Sequence, residues 1–390
     1  MSDRTTPRRL RRLLRSLFWA SSAGVAWTWA FYPALVFAGA RLSRRAAPSA
    51  PVGLTSVSVV LVVHNEEAVI RKAVEDLLAL EYDPDKIEFI VVADGCTDRT
   101  VELALEFDDP RIRVYPSARA GLTAGVAYGV SAARNDVIVR TDADTRHNPD
   151  YLRCLMRHYA DPKIGCVGGR FSFANVGETG ITRNEGMYWK FEMLLRKAES
   201  DLGILSTTSG AVMSFRRSLF EEFAPTYSED VVIPKIVVKK GYRVAQEPAA
   251  VAYELMPQSI GGEFRARKRM VSRGLTGVLS MEGGLSPLSH PGHWFSIVSH
   301  KLLRWSTPFL MIGSFVGALG AGGRPVYRIA AAAHAALYLS ALAGYWMERR
   351  ERHFRPFSAA FSFWLANLGF MVGVVEALRG RRVSAYRSEE

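Results

Sequence analysis

Cysteine is scarce, at 3 in 390 residues, and Cys96, Cys154 and Cys166 form no CxxC pair. That excludes a disulfide-stapled secreted scaffold and a cysteine-built zinc site. No GxxxxGK[ST] phosphate loop occurs, and the first strand-like run is not followed by a GxGxxG turn, which removes the P-loop and dinucleotide-binding readings. The 32 Gly and 18 Pro rule out a collagen-like or low-complexity chain, and 48% hydrophobic residues are too many for disorder. The expectation is a reduced, cytosol-facing catalytic unit within a chain of two to three units, at ~150 residues per unit.

The formal charge of +12 raises the question of nucleic acid, so its distribution decides. Residues 1–45 carry nine Arg (Arg4, Arg8, Arg9, Arg11, Arg12, Arg15, Arg41, Arg44, Arg45) against Asp3, a charge of +8. Residues 301–390 add +7, so residues 46–300 are slightly acidic at −3. Basic flanks around an acidic middle fit a lipid surface and not a duplex, and no nucleic-acid partner is expected.

Between those charges the flanks are apolar. Residues 16–40 run 25 residues without a charge, and 305–323, 329–347 and 357–375 run 19 each. At ~1.5 Å rise per residue each is long enough to cross a hydrocarbon core of about 30 Å. Trp19, Trp27, Trp29, Trp305 and Trp346 stand in or near these runs, several of them where interfacial aromatics belong. Buried helices of a large soluble fold remain the alternative. A cleaved signal peptide fits less well, because no small-residue cleavage site follows the first run. The segment 293–304 reads as a helix lying flat at the interface. The expected organisation is therefore 1–50 with one span, a catalytic domain over 51–290, and 291–390 with an interfacial helix and three spans. The setting is a multi-pass inner-membrane protein facing the cytoplasm. The arginines conflict over orientation: those at 348–355 place the middle domain inside, whereas Arg8–Arg15 and Arg379, Arg381 and Arg382 do so only if one run at each end is not a full crossing.

The middle alternates strand and helix signals. The spacing predicts strands at 57–63, 87–92, 112–115 and 136–140, with helices at 66–80, 100–107 and 120–133 between them. Such alternation implies a largely parallel α/β sheet with right-handed crossovers, whose ligands lie beyond the carboxyl ends of the strands. Three of those ends are acidic: His64-Asn65-Glu66-Glu67, Asp94-Gly95-Cys96-Thr97-Asp98 and Thr141-Asp142-Ala143-Asp144-Thr145. Helix capping by Thr97 or Asp98 is the structural alternative for one cluster, and is less adequate for three on one edge. Asp142 and Asp144, read as extended backbone, would share a face and present two carboxylates to one hard cation, Mg2+ or Mn2+, that keeps waters and accepts phosphate oxygens. A haloacid-dehalogenase-type phosphatase also uses DxD after a strand, but wants Thr or Val where this chain has Arg146. Gly121, Gly125 and Gly129 make a smooth helix stripe, read as close packing.

The ordered segments VVHNEE, ADGCTDRT, TDADT, TSGA, SED and RARKRM resemble those of the membrane-bound family 2 glycosyltransferases with a GT-A nucleotide-sugar domain, over about residues 55–275. What that resemblance implies is specific. His64, Glu66 and Asp94 would hold the uridine of a UDP-sugar; Asp144 would ligate Mg2+ or Mn2+ beside the diphosphate, with Asp142 near the ribose and the metal shell. Asp230 falls on the family's catalytic base, with Ser228 in place of Thr, and would take a proton from an acceptor hydroxyl in a single inverting displacement. Capping of the helix over 231–240 by Glu229 and Asp230 is compatible with that role. Arg267, Lys268 and Arg269 lie where relatives carry QxxRW, whose Arg contacts the diphosphate. Ala266 and Met270 replace the Gln and Trp, which puts processive synthesis in doubt. Ser209, Gly210 and Ala211, with Glu229, belong to the acceptor side, and an amphipathic helix over 184–197 packs in the core or lines the acceptor path. The implied partners are a nucleotide-sugar donor, a glycan or lipid-linked acceptor and membrane lipid. Polysaccharide synthesis, polyprenyl-phosphate hexosyl transfer and a non-catalytic nucleotide-binding membrane scaffold are the three readings.

Overall fold

The computed structural model describes residues 8–43, 55–178, 180–280, 286–350, 352 and 354–381. Arg4, Arg44, Arg45, Arg382, Asp3, the boundary expected at 50/51, and positions 351 and 353 of the arginine-rich loop lie outside the described residues.

Eight strands form one sheet: β1 Val57–Val63, β2 Ile87–Asp94, β3 Ile112–Ser117, β4 Val137–Thr141, β5 Arg146–His147, β6 Ile164–Phe173, β7 Met213–Arg216 and β8 Arg243–Glu254. Their order is β3-β2-β1-β4-β7-β6-β8-β5. The first four are parallel, β7 runs against both β4 and β6, and β8 returns parallel to β6. β1 and β2 are almost continuous runs of Val, Ile, Leu and Phe because helices cover both faces of the parallel half. One face packs on the helices Ile70–Leu78 and Tyr151–Met156. The other packs on Leu122–Ala132 and Glu229–Lys239. The glycine stripe has the predicted use: a Cβ at Gly125 would stand 2.5 Å from Val62 Cγ1, so glycine alone lets that helix approach β1.

β1 pairs with β2 on one side and β4 on the other, so the chains leaving β1 and β4 diverge and open a crevice at the sheet's carboxyl edge. The pairing of β6 with β8 passes from Gly169–Glu247 to Arg170–Val251, leaving residues 248–250 of β8 as a bulge, and ends with Glu254 opposite Phe173.

The flanks differ from expectation in shape. The first apolar run is part of one helix, Arg8–Leu42, with a π-helical stretch at Trp27–Phe31. Pro325–Glu348 and Arg355–Leu378 are likewise long and apolar enough to cross a membrane. The span expected at 305–323 is instead a shorter helix, Thr307–Gly320, bent by 62° from Pro291–Trp305, a broken span or a re-entrant pair. At ~1.5 Å per residue its 14 residues are too short to cross alone. The segment expected to lie flat on lipid turns its charges inward. His300 and Arg304 are buried and bond to Glu192, on the helix Gly180–Leu202. Their pairing with a carboxylate on the sheet-bearing part offsets the desolvation that lipid contact would not.

Two helices tie the sheet-bearing part to the apolar ones. Ile260–Ser280 lies along Arg355–Leu378, where a Cβ at Gly373 would meet the Lys268 carbonyl at 2.7 Å. The helix Gly180–Leu202 packs on Tyr32–Leu42, with the Tyr32 hydroxyl donating to Glu199 at 2.5 Å.

Candidate active site

The loops leaving β1 and β2 are built by their own polar residues. Asn65 adopts φ 55° and accepts from the Thr97 amide at 2.8 Å. Asp98 accepts from the Thr100 amide and the Glu67 amide and so ties the two loops together, while the N-cap of the helix Thr100–Leu105 is Arg99, without a side-chain cap bond. Asp94 is buried at 1% exposure, and its carboxylate accepts from the Ala120 amide at 2.6 Å, the Gly121 amide at 2.9 Å and Arg119 Nη1 at 2.6 Å. It therefore fixes the loop entering the helix Leu122–Ala132 as well as forming wall. His64 Nδ1 lies 2.8 Å from the Asp94 carbonyl.

Asp142 to Thr145 is a tight turn, closed by the Thr145 amide on the Asp142 carbonyl at 3.2 Å, and not the extended stretch expected. Arg140, inside the sheet, explains this. Its buried guanidinium grips both Asp142 oxygens, at 2.6 and 2.8 Å. Asp144 is left exposed at the mouth. A cleft of about 200 Å³ is lined by His64, Glu66, Asp94, Arg119, Asp142, Asp144, Glu254 and Arg269. Glu254 Oε1 accepts from the Thr145 hydroxyl at 2.5 Å.

The electrostatics of this cleft are uneven. Burial, then Asp144 and Asp142, push the Glu254 carboxyl up to about 8. Burial, then Asp144, Asp142 and Asp98, raise Glu66 to about 7. Burial raises Asp142 too, against the pull of Arg140. Glu254 and Glu66, raised first by burial and then by neighbouring carboxylates, mark this cleft as partly dry and acidic. No group of three His, Cys, Asp or Glu side chains among the described residues forms a ready cage. The set thus fits a hard divalent cation that binds one or two carboxylates, Asp144 foremost, and completes its shell with water and phosphate oxygens.

A second chamber of about 370 Å³ adjoins the cleft, sharing Asp144, Glu254 and Arg269 with it. Asp230, Ser209 and Gly210 line this chamber, so Asp94, Asp144 and Asp230 stand on two adjoining openings. Asp230 lies in the first turn of Glu229–Lys239, where the Ser228 hydroxyl donates to Oδ1 and the Thr208 amide to its carbonyl at 2.9 Å. Glu229, placed on the acceptor side by the sequence, points elsewhere: it accepts from the Thr123 hydroxyl at 2.8 Å and Arg273 at 3.4 Å, joining three helices. Ala211 is packed in the core at 6% exposure and is not part of the lining. Gly210 makes room for Arg140, whose Nη1 would lie 3.1 Å from an added Cβ.

Arg267 and Arg269 separate. Arg269 lines both cleft and chamber. Arg267 is buried between Glu185 and Glu263, with its guanidinium 4.9 Å from the Tyr188 ring centre. Burial lowers it to about 10. It lines the chamber and not the cleft. Sequence reasoning missed Arg140, Glu254, Arg119 and the buried group around Glu192. Arg140 reads as one more strand residue, and Glu254 lies over a hundred positions from the DxD that it faces.

Comparison with known proteins gives this architecture its class. Residues 58–224 match the family model for glycosyl transferase family 2. Over 228 residues the chain is 29% identical to "Probable glycosyltransferase YdaM" of Bacillus subtilis (strain 168), covering 55% of this chain and 54% of that protein. It is 25% identical over 228 residues to a poly-beta-1,6-N-acetyl-D-glucosamine synthase of Staphylococcus aureus (strain COL), covering 57% and 55%. The mannosyltransferase PcManGT from Pyrobaculum calidifontis, solved with GDP-Man and Mn2+, superposes with a TM-score of 0.71 at 21% identity, over 96% of this chain and 100% of that one. Residues 58–224 thus match a family 2 glycosyltransferase domain, and the α/β sheet has the GT-A fold of the superposed enzyme. It spans about half the length of the curated relatives it matches.

Proposed function

We propose that this protein is an integral-membrane, inverting glycosyltransferase that moves a sugar from a nucleotide sugar, a UDP-sugar in our reading, to a glycan or lipid-linked acceptor. The observation that carries it is the two-chamber opening in which Asp144 is shared and Asp230 stands on the far side from Asp94. The nucleoside would lie against His64, Glu66 and Asp94, with Asp142 toward the ribose. A divalent cation, Mn2+ or Mg2+, held by Asp144, would supply positive charge to the diphosphate leaving group. Arg269 is placed to add to that charge from the chain. An acceptor hydroxyl in the adjoining chamber would be oriented by Ser209 and would give its proton to Asp230 as its oxygen attacks the anomeric carbon. Asp230 suits this role because it is held by Ser228 yet carries no cationic partner among the hydrogen bonds and ion pairs described.

The name of the staphylococcal relative favours polysaccharide synthesis, and the superposed archaeal enzyme's Mn2+ favours a metal-dependent donor site. Ala266 and Met270, at the Gln and Trp positions of the QxxRW that the resemblance implies, weigh against processive growth. The three long apolar helices and the bent pair favour a multi-pass membrane setting, and our reading keeps the sheet on the cytoplasmic side.

The test is nucleoside-diphosphate release by the full-length protein in membranes across a donor panel, with and without Mn2+. Asp230→Asn should lower metal-dependent transfer by about 10²–10⁴-fold while leaving nucleotide affinity within about twofold. Transfer by Asp230→Asn at the parental rate sinks the assignment of the base. Nucleotide binding without turnover for any donor would favour the scaffold reading.

A further inference from the structure

Beside the acceptor chamber lies a set of buried titratable groups that transfer as described does not use. Glu192, Arg196 and Glu199 stand at i, i+4 and i+7 on the helix Gly180–Leu202 and therefore share one face. That face meets two elements of the apolar flanks, the helix Tyr32–Leu42 and the stretch Ile297–Leu302. Both flanks are wound as π-helix here, over Trp27–Phe31 and Ile297–Leu302, and Trp27 Nε1 donates to Ser299 Oγ across them at 3.1 Å. A π turn is rare and concentrates at functional sites, where its wider winding re-aims the side chains that follow.

The hydrogen bonds form an unbroken line. The Tyr32 hydroxyl donates to Glu199 Oε1 at 2.5 Å, and His300 joins Glu199 through Nδ1 at 2.8 Å and Glu192 through Nε2 at 2.9 Å. Arg196 Nε donates to Glu192 at 3.0 Å, and its Nη1 donates to the Ser209 hydroxyl oxygen at 2.8 Å. Every member is buried. Lys301 at 2.9 Å and Arg304 at 2.6 Å bring the donors on Glu192 to two per oxygen, so its carboxylate has one orientation. Arg196, Arg267, Lys301 and Arg304 are matched by Glu185, Glu192, Glu199 and Glu263, and the cluster calls for no further ion. What it supplies is direction. With one Ser209 lone pair taken by the guanidinium, the hydroxyl hydrogen is left to point at an incoming oxygen. Next to it the Thr208 amide holds the Asp230 carbonyl at 2.9 Å, so one short segment sets both Ser209 and Asp230 in the chamber wall.

We infer that Arg196 is a positioning residue for acceptor-side Ser209, and that the first apolar helix sets its aim through Tyr32, Glu199, His300 and Glu192. What Ser209 does in transfer rests on the glycosyltransferase reading above; the line of contacts does not. One planar guanidinium fork holds a carboxylate and a hydroxyl at fixed angles, which a flexible ammonium does not.

The test uses the full-length protein and two measurements. The first is amide hydrogen exchange of residues 205–212 in phosphatidylcholine nanodiscs, with β1 as control. Arg196→Lys, which keeps the charge beside Glu192, should speed exchange there at least about tenfold, the loss of one charge-assisted bond. Tyr32→Phe, which removes one oxygen at the far end of the line, should speed it at least about threefold. β1 should be unchanged in both. Parental exchange of residues 205–212 in Tyr32→Phe overturns the line, and so does an equal rise in β1, which marks general loosening. The second is a double-mutant cycle on metal-dependent nucleoside-diphosphate release in membranes, with Tyr32→Phe, Ser209→Ala and the pair. If Tyr32 acts through Ser209, the pair should stay within about twofold of Ser209→Ala alone. Two losses that multiply are independent structural damage and overturn the positioning role. Both of these variants only delete a hydroxyl, which covers failure of Arg196→Lys to fold. Release from no donor overturns the transferase reading alone, because the exchange measurement still decides the line.

Discussion

Replacing Glu254 by Gln tests the charge balance of the donor cleft directly. Glu254 is held near 8 by burial and by Asp144 and Asp142, far above an ordinary carboxyl at about 4.5. In the folded protein it keeps a proton that the unfolded chain releases, so between about pH 4.5 and 8 the native state binds more protons. Stability contributed by this proton is complete below 4.5 and is lost as pH rises through 8. One group can change stability by up to about 1.4 kcal/mol per pH unit in that window. Because Asp142, Asp144 and Glu254 share their charge, about 2 kcal/mol in total is a reasonable magnitude, or roughly 4–8 °C in Tm for a domain of this size. Thermal unfolding of the full-length protein should therefore show Tm falling from pH 5 to pH 8. In Glu254→Gln the fall should be flatter by that amount. Mn2+ should raise Tm of the parent more at pH 8 than at pH 6, and should release protons when added to weakly buffered protein. If parent and Glu254→Gln share one pH profile and Mn2+ releases no proton, the crowded-carboxylate account of the site is refuted.

Three further outcomes follow from the packing and the loops. Gly125→Ala places a methyl 2.5 Å from Val62 Cγ1, so despite the better helix propensity of alanine it should cost about 1–3 kcal/mol, read as a lowered Tm. Asp94→Ala strips the Ala120 and Gly121 amides and Arg119 of their shared acceptor; it should cost about 3–5 kcal/mol and weaken nucleotide binding at least about tenfold, with Asn intermediate. Unchanged nucleotide affinity in Asp94→Ala, measured by titration calorimetry, would remove Asp94 from the donor site. Arg140→Met frees Asp142 from its only bidentate clamp among the described contacts, and should raise the Mn2+ concentration needed for half-maximal turnover about tenfold or more.

How far the site could be read without the fold differs residue by residue. β1, β2, β3 and β4 follow from runs of β-branched residues between turn signals, because a strand buried on both faces must be apolar throughout. Helix ends were less legible: the first crossover helix begins at Ile70 and not at Glu66, since Asn65 to Glu67 spend their polar atoms on the Thr97–Thr100 loop. Glu229 and Asp230, adjacent in the chain, face different partners, and only the rotation of a helix about its axis separates them.

What the sequence determined by itself is therefore local and periodic. It comprises the alternation of strand and helix, acidic groups at three strand ends, and apolar runs long enough to matter to a bilayer. These depend on spacing along the chain, which neighbouring residues suffice to specify. What the tertiary structure decided is which distant groups meet. It set Glu254 opposite the DxD turn, Arg304 against Glu192, and a groove between helices beside the second chamber. Those contacts join residues separated by up to a hundred positions or more, and their energies depend on burial. No pattern along the chain carries that information, because the low-dielectric setting that gives such charges their strength exists only once the chain has closed around them.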